Sequence, residues 1–160
     1  MAAKSRGARK SRRSITRHNL ITDPDTSARL ARIRQHGTSP ELAVRRVLHC
    51  LGHSYRLHNR DLPGSPDLAN RRQGWAIFVH GCFWHRHRNC SRTTTPRRNR
   101  EFWQNKFDAN IARDRRALEE LQARGFRTVV IWECQTETAA QLERTLRAAL
   151  LNTIQTRSSR

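Results

Sequence analysis

The strongest constraint on this chain is a short segment, residues 80–90, that is crowded with metal-binding side chains. It reads HGCFWHRHRNC and places two cysteines and three histidines within eleven residues. A tetrahedral zinc ion needs four nitrogen or sulfur ligands close together, and a short loop can supply several of them. Cys82, His87 and Cys90 fit three of the four positions. We therefore expect a fold that is clamped by zinc.

The fourth zinc ligand is predicted far along the sequence. Cys134 follows the strand-like run VVIW at 129–132, so a shared zinc ion would tie the loop to a sheet. Four protein ligands leave no open coordination position, which predicts a structural rather than a catalytic zinc. The alternative is a pair of free cysteines in an exposed histidine-rich loop. The remaining cysteine, Cys50, is interpreted as a small core residue on a helix.

Helical and strand-like patterns alternate along the chain, which predicts an α/β fold with a mixed β-sheet. Ser39-Pro40-Glu41 marks a helix start, with a hydroxyl cap, a first-turn proline and an acid near the positive end of the dipole. Strands are expected at 54–57, 67–69, 75–80 and 127–132, and helices at 39–51, about 100–124 and about 137–151. The positions expected to face the core are Leu42, Val44, Val47, Leu48 and Leu51 in the first helix and Phe102, Phe107, Ile111, Leu118 and Leu121 in the second.

The two ends of the 160-residue chain differ in composition from its middle. Residues 1–18 hold seven Lys and Arg, no acid, and only Ile15 as a large apolar residue. Such a segment cannot bury a core, so we expect a mobile basic arm, either a solvated tail or a phosphate-binding element. Residues 156–160 are expected to fray. Residues 19–155 are predicted to form a single domain.

A net charge of +19, from 32 Lys and Arg against 13 Asp and Glu, predicts a polyanionic partner. All but three of the basic residues are Arg, whose guanidinium binds phosphate and guanine in a bidentate manner. Nucleic acid is favoured over an anionic membrane because no basic amphipathic helix with a bulky apolar face is evident. No apolar run reaches the roughly 18 residues of a membrane span, and no apolar stretch follows the N-terminal charges. We expect a soluble, intracellular monomer.

Carboxylates and histidines near the zinc segment suggest a separate catalytic site. Asp67 follows a proline turn and enters a predicted strand, and His80 ends a second one. Asp67 and Glu41 offer the hard oxygen ligands that Mg²⁺ prefers. His85 is suited to take a proton from water at neutral pH. Each residue also has an ordinary structural interpretation: Asp67 as a turn residue, Glu41 as a helix-start acid, and His80 as a sheet-end residue.

Three aromatic residues could contact DNA directly. Phe83 and Trp84 lie inside the zinc segment, and Trp103 lies off the apolar stripe of its predicted helix. Apolar rings wedged between base pairs distort a duplex at a cost of a few kcal/mol per step. Local packing of these rings around the zinc is an equally good interpretation.

The chain resembles the very short patch repair endonucleases over roughly residues 25 to 135. The resemblance rests most on the string Gly81-Cys82-Phe83-Trp84-His85, which is specific to that family. Further segments of the chain match the family as well: His87 and Cys90, Pro66-Asp67, Glu101-Phe102-Trp103, Arg113-Asp114-Arg115-Arg116 and Trp132-Glu133-Cys134.

This resemblance implies a restriction-endonuclease-like fold, in which helices flank a mixed β-sheet. It implies an Mg²⁺-dependent endonuclease that nicks DNA 5′ of the mismatched T in T·G mismatches, which arise when 5-methylcytosine deaminates. The partner is then double-stranded DNA with such a mismatch, with mismatch-repair proteins as further partners. The implied location is a bacterial cytoplasm, near the nucleoid, and no membrane is involved.

The resemblance also implies a role for each candidate residue. Asp67 would bind Mg²⁺, Glu41 and His80 would organise its waters, and His85 would be the general base. The structural zinc would be held by Cys82, His87, Cys90 and Cys134, and Phe83, Trp84 and Trp103 would intercalate. The N-terminal segment would lie along DNA.

Two alternatives remain open from the sequence. One is a restriction or defence nuclease of the same fold, which would cut both strands of fully paired DNA. The other is a non-catalytic, zinc-stabilised DNA-binding module, which would bind DNA without cleaving it in Mg²⁺.

Overall fold

In a computed structural model of the chain, the structure describes Ala28, Arg32 and residues 36–151. The predicted arm at 1–18 and the predicted frayed end at 156–160 lie outside these residues. The described elements, in chain order, are α1 Ser39–Cys50, β1 Arg56–Leu57, β2 Leu68–Asn70, β3 Trp75–His80, α2 Cys82–His85, α3 Arg100–Ala123, β4 Arg127–Trp132, a 3₁₀ turn Glu133–Thr136 and α4 Ala139–Leu151.

The four described strands form one mixed sheet in the order β1-β2-β3-β4. The two pairings that involve β2 are antiparallel, and β3 pairs in parallel with β4. The long helix α3 lies between β3 and β4 in the chain, as the crossover of a parallel pair requires. The predicted α/β class and mixed sheet are therefore confirmed.

The central strand β3 is buried on both faces, which explains its unbroken apolar sequence. Trp75 and Ile77 face a core cluster with residues of α1, β4 and α4, among them Leu48 and Leu146. The alternate residues of β3 face a second cluster. Strands β2 and β3, the loop before β2 and helix α3 contribute its members. They are Leu62, Ala69, Ala76, Phe78, Ala117 and Leu121. Helices thus cover both faces of the sheet.

Helix α1 begins as predicted but with a different cap. The N-cap is Thr38 rather than Ser39, because Thr38 and Glu41 form a reciprocal capping box. Two predicted core positions are wrong: Leu42 is 43% exposed and Cys50 is also exposed. Both lie on the side of the helix that turns away from Val44, whose side chain is buried against the sheet.

The other boundaries are close to those predicted. Strands β3 and β4 match the expected ranges, and α3 ends one residue earlier. Strand β2 begins at Leu68, so Asp67 stands immediately before the strand and not inside it. Ile111, expected in the core, is 42% exposed at the edge of the buried face of α3.

Within the described residues, no helix is both long and apolar enough to cross a membrane.

Candidate active site and metal centre

Four side chains from two distant segments meet beside the end of β4. The ligand atoms of Cys82, His87, Cys90 and Cys134 all lie within 4.8 Å of one another. His87 Nδ1 is 3.3 Å from Cys134 Sγ and 3.7 Å from Cys82 Sγ. All four cysteines of the chain are free. Three thiols and one imidazole are a structural zinc donor set, so the residues present fit zinc.

The three thiols of this cluster differ in how readily they ionise. Burial, together with the nearby Cys82, raises the pKa of the Cys134 thiol to about 12. Burial likewise raises the pKa of Cys82. At Cys90 the backbone N–H of Arg92 lowers the pKa instead. Zinc binds the thiolate form, so an ion in this cluster would remove the resistance of two of its thiols to ionisation.

The metal segment is held by contacts outside its own ligands. The backbone N–H of Cys82 donates to Glu133 Oε2 at 3.2 Å. The Thr93 hydroxyl donates to the carbonyls of Cys82 and His87, at 3.2 and 2.8 Å. Arg86 ends the one-turn helix α2 with φ 58°, a left-handed conformation that reverses the chain. His85 is thereby fixed on the last turn of α2.

A histidine–carboxylate pair joins α2 to α3. His85 Nδ1 and Asp114 Oδ2 are 2.5 Å apart, and these side chains are 22% and 19% exposed. Burial opposes ionisation of Asp114, but the hydrogen bond and charge of His85 bring its pKa below the ordinary value. An ionised carboxylate only accepts, so the proton lies on Nδ1 and Nε2 of the neutral ring keeps its lone pair. The pair can act as an oriented proton acceptor.

Asp114 is a candidate site residue to which the sequence analysis assigned no role. It lies seven residues from both Phe107 and Leu121, two buried residues of α3. That spacing puts the three side chains on one helix face. This position entered the sequence analysis only as part of the Arg113-Asp114-Arg115-Arg116 match to the family. An acid at a position of the apolar stripe was the available signal.

His80 is buried at the end of β3 against the same pair. Its ring stacks on the His85 ring with centroids 3.9 Å apart and planes 11° apart. The Trp132 ring meets it edge-on at 5.5 Å. Burial and the closeness of His85 lower the pKa of His80 to about 4, so it is neutral near pH 7. It can bind a water or a cation through a ring nitrogen, as the 4.8 Å grouping of His80, His85 and Asp114 allows.

Asp67 stands at the start of β2 and is tied to β3. Its Oδ2 accepts the Val79 backbone N–H at 2.7 Å. Burial raises the pKa of Asp67, and the Val79 hydrogen bond offsets this only in part. Val79 directly precedes His80, so this bond holds the carboxylate next to the histidine-bearing strand end. A half-buried carboxylate of this kind gains from a nearby cation and fits an Mg²⁺ ligand.

A cavity of about 320 Å³ opens beside Asp67 and Glu41. Among the described residues neither His80 nor His85 lines it. The predicted catalytic residues therefore form two groups, Asp67 with Glu41 and His80 with His85. The other side chains of the cavity are mostly basic or polar: His36, Arg45, His58, Arg60, Ser65 and Pro66.

Glu41 has a clear structural role in addition to lining this cavity. Its carboxylate accepts from the Gly37 backbone N–H at 2.8 Å and from the Thr38 hydroxyl at 3.0 Å. It also pairs with Arg45 at 3.2 Å. The predicted function of Glu41 as an organiser of metal-bound water stays a prediction beside its capping role.

The three candidate intercalating rings form one cluster at the junction of α2 and α3. Phe83 lies 5.0 Å from Trp84 and 5.5 Å from Trp103, measured between ring centroids. All three are only partly buried. Lys106 Nζ lies 5.7 Å from the Trp84 centroid, and the Phe107 ring supports Phe83 from the core side. The cluster is both packed and accessible, so both sequence interpretations of it remain available.

Comparison with known proteins decides the family. The family model for the DNA mismatch endonuclease Vsr matches residues 19–92. A type II nicking enzyme of Xanthomonas oryzae pv. oryzae, V.XorIIP, is 41% identical over 121 residues, which cover 76% of this chain and 88% of that protein. The chain belongs to the Vsr family of DNA mismatch endonucleases.

Two further members support the assignment. The nicking enzyme V.NmeAIP of Neisseria meningitidis serogroup A is 33% identical, with 76% of this chain and 86% of that protein covered. The DNA mismatch endonuclease Vsr of Escherichia coli K12 is 36% identical, with 68% and 69% covered. Vsr endonucleases are DNA-cleaving hydrolases, so the alternative of a non-catalytic DNA-binding module loses its support.

Proposed function

We propose that this chain is an Mg²⁺-dependent Vsr endonuclease of restriction-endonuclease-like fold. It nicks DNA 5′ of the mismatched T in T·G mismatches that arise from deaminated 5-methylcytosine. The observation that carries the proposal is the His85–Asp114 pair, an oriented base whose ring stacks on His80. Strand β3 links it to Asp67 through the Val79 backbone.

In this proposal Asp67 would hold Mg²⁺, and Glu41 and His80 would organise the water around it. When bound, Mg²⁺ would stabilise the negative charge that develops on the phosphate during attack. Asp67 offers Oδ1 as the metal ligand, since its Oδ2 already accepts the Val79 N–H. Neutral His80 adds no positive charge that would compete with the ion.

The general base is proposed to be His85. Its Nε2 takes a proton from the attacking water while the new P–O bond forms and the bond to the leaving sugar oxygen breaks. Asp114 keeps the other proton on Nδ1 and stabilises the imidazolium that results. Because both side chains are largely buried, water competes little for this hydrogen bond.

The remaining candidate residues are proposed to recognise and shape the substrate. Phe83, Trp84 and Trp103 would insert beside the mismatch as one aromatic wedge. Cys82, His87, Cys90 and Cys134 would hold a structural zinc that keeps α2, and with it the wedge and His85, against the sheet. The enzyme is proposed to act as a monomeric domain of residues 19–155 on the DNA of a bacterial cytoplasm.

A nicking assay tests this proposal. Labelled duplexes would each carry one T·G mismatch in varied methylation-site contexts, beside fully paired controls, with and without Mg²⁺. The expected result is Mg²⁺-dependent cleavage of the T strand only, in mismatched duplexes only, and its loss in Asp67→Ala. Mg²⁺-dependent activity that survives in Asp67→Ala would overturn the assignment of Asp67.

A second candidate function is a restriction-type nuclease. The words type II in the names of two relatives favour it, while the word nicking in the same names describes a cut in one strand. It predicts cleavage of the paired control as readily as of the mismatched duplex, with both strands cut. The same assay therefore separates the two functions.

A further inference from the structure

The cavity beside Asp67 is lined by two guanidinium groups that a cation site does not need. Arg45 and Arg60 line it, together with the imidazoles of His36 and His58. Glu41 is already paired with Arg45 and with the donors that it caps. Within the described residues, the Arg60 guanidinium forms no ion pair with either carboxylate of the cavity. Such a group suits an anion that lies beside the metal ligand.

Arg45 lines the same cavity and is held there by Glu41. Its Nε is the one buried side-chain donor of the described residues that lacks a hydrogen-bond partner. The terminal nitrogen Nη2 is bound to Glu41, which holds the guanidinium in place. Buried N–H groups are normally paired, so the Arg45 side chain is not fully satisfied by the contacts of the folded chain.

The loop that carries His58, Arg60 and Ser65 has a locally strained backbone. His58 and Ser65 have φ values of 55° and 51°, in the left-handed region that non-glycine residues rarely adopt. The buried Asn59 side chain holds them by donating to the carbonyls of Arg56 and Pro66 at 2.9 and 3.2 Å. Conformations of this kind persist where the surrounding structure fixes them, and they cluster at binding sites.

We propose that this cavity is a subsite for a DNA backbone phosphate next to the one that is cut, and that Arg60 and Arg45 bind it. The inference rests on the proposed function, since it assumes that Asp67 binds the metal at the scissile phosphate. The base His85 does not line the cavity, so the phosphate here is a neighbour of the scissile one. Its contact positions the strand and carries no base readout.

The test uses duplexes in which one phosphate of the T strand at a time is a neutral methylphosphonate. Equilibrium binding in Ca²⁺ and single-turnover nicking in Mg²⁺ would be measured on the same set. Arg60→Gln is the test variant because the residue is exposed, and the melting temperature and zinc content would confirm its fold. The control is Arg46→Gln, an exposed residue of α1 that loses the same charge and does not line the cavity.

For the wild type, we expect one methylphosphonate outside the scissile position to weaken binding about ten-fold or more, as the loss of a hydrogen bond to a charged group would. In Arg60→Gln, a methylphosphonate at that position should weaken binding less than about three-fold, because the arginine that binds this phosphate is already gone. Arg46→Gln should keep the wild-type profile. Arg45→Lys keeps the charge beside Glu41 but lacks the forked guanidinium, and it should also flatten the profile at that position.

Three results would overturn the subsite: a wild-type profile with no sensitive position outside the scissile phosphate, an unchanged profile in Arg60→Gln, or equal flattening in Arg46→Gln. The proposed function fails separately, if wild-type protein binds the set and never nicks it. The binding profile still decides the subsite in that case.

Discussion

Asp67 is a candidate metal ligand whose burial lowers the stability of the fold near neutral pH. Its carboxylate is half-buried, is bound by the Val79 backbone N–H, and has a pKa above the ordinary value of 3.8 because of burial. The folded chain therefore binds this proton more tightly than the unfolded chain does. The resulting penalty on the free energy of unfolding is absent at low pH and grows as the pH rises above about 4.

Asp67→Asn should therefore stabilise the protein near neutral pH in buffer without magnesium. The amide oxygen can still accept the Val79 N–H, and the buried charge is gone. We expect a higher melting temperature than wild type at pH 7.5 and little gain near pH 4, measured by thermal unfolding. Exposed Asp61, whose pKa is lowered first by its Arg71 hydrogen bond, is the control: Asp61→Asn should give no gain at pH 7.5. An equal gain at both pH values would contradict the burial argument.

Asp114 is the second residue whose substitution is informative. Asp114→Asn should lower the nicking rate by about 10²-fold or more, because an amide neither fixes the His85 tautomer nor stabilises its imidazolium. The KM for DNA and the zinc content should stay near wild type. Asp108→Asn, an exposed acid of the same helix that bonds Gln104, should leave the rate unchanged. A rate within about three-fold of wild type in Asp114→Asn would show that His85 acts without this partner.

At the scale of elements, the turn that delivers Asp67 is the most constrained. Gly64 has φ +70°, and a Cβ built on it would lie 2.4 Å from the Ala117 Cβ of α3. The turn before β2 thus packs closely against the long helix. Ala117 belongs to the core cluster on this face of the sheet, so it has little room to move.

Gly64→Ala should cost about 2 kcal/mol or more of unfolding free energy, from the left-handed backbone and from the clash. The matched control is Gly52→Ala, where φ is +74° but no atom lies within 4 Å. That substitution should cost only about 1 kcal/mol, from the backbone alone. Chemical denaturation of both variants measures the difference, and equal losses would show that the turn moves away from α3.

Across the whole molecule, zinc would join segments that are far apart in sequence. The proposed ligands come from residues 82–90, which follow β3, and from Cys134, which follows β4. Strands β3 and β4 are already parallel neighbours, so the ion would close the same end of the sheet where His80 and Trp132 lie opposite each other. It would hold α2 at the sheet without using an open coordination position.

Cys134→Ala should reduce the zinc content well below one ion per chain and lower the melting temperature by roughly 10 °C. Cys50→Ala is the control, since Cys50 is exposed on α1 and outside the cluster. It should keep both values. Metal analysis and thermal unfolding make the comparison, and a Cys134→Ala protein that retains its zinc and its stability would disprove the ligand set.

The sequence alone determined the features that local pattern encodes. Strands β3 and β4 could be predicted because an unbroken apolar run is what a strand buried on both faces requires. The start of α1 followed from capping chemistry, and three of the four candidate zinc ligands followed from their density in residues 82–90. The family resemblance rested on the same segment, around Gly81-Cys82-Phe83-Trp84-His85.

Only the tertiary structure decided how these pieces meet. Asp114 joins His85 across 29 positions of sequence because α3 packs on the sheet, and no local pattern contains that contact. The exposure of Leu42 and Cys50 depends on which side of α1 meets the sheet. The cavity of Arg45, His58 and Arg60 forms because a strained loop is held over α1. Contacts between distant residues depend on packing geometry, and a sequence pattern records only the neighbours along the chain.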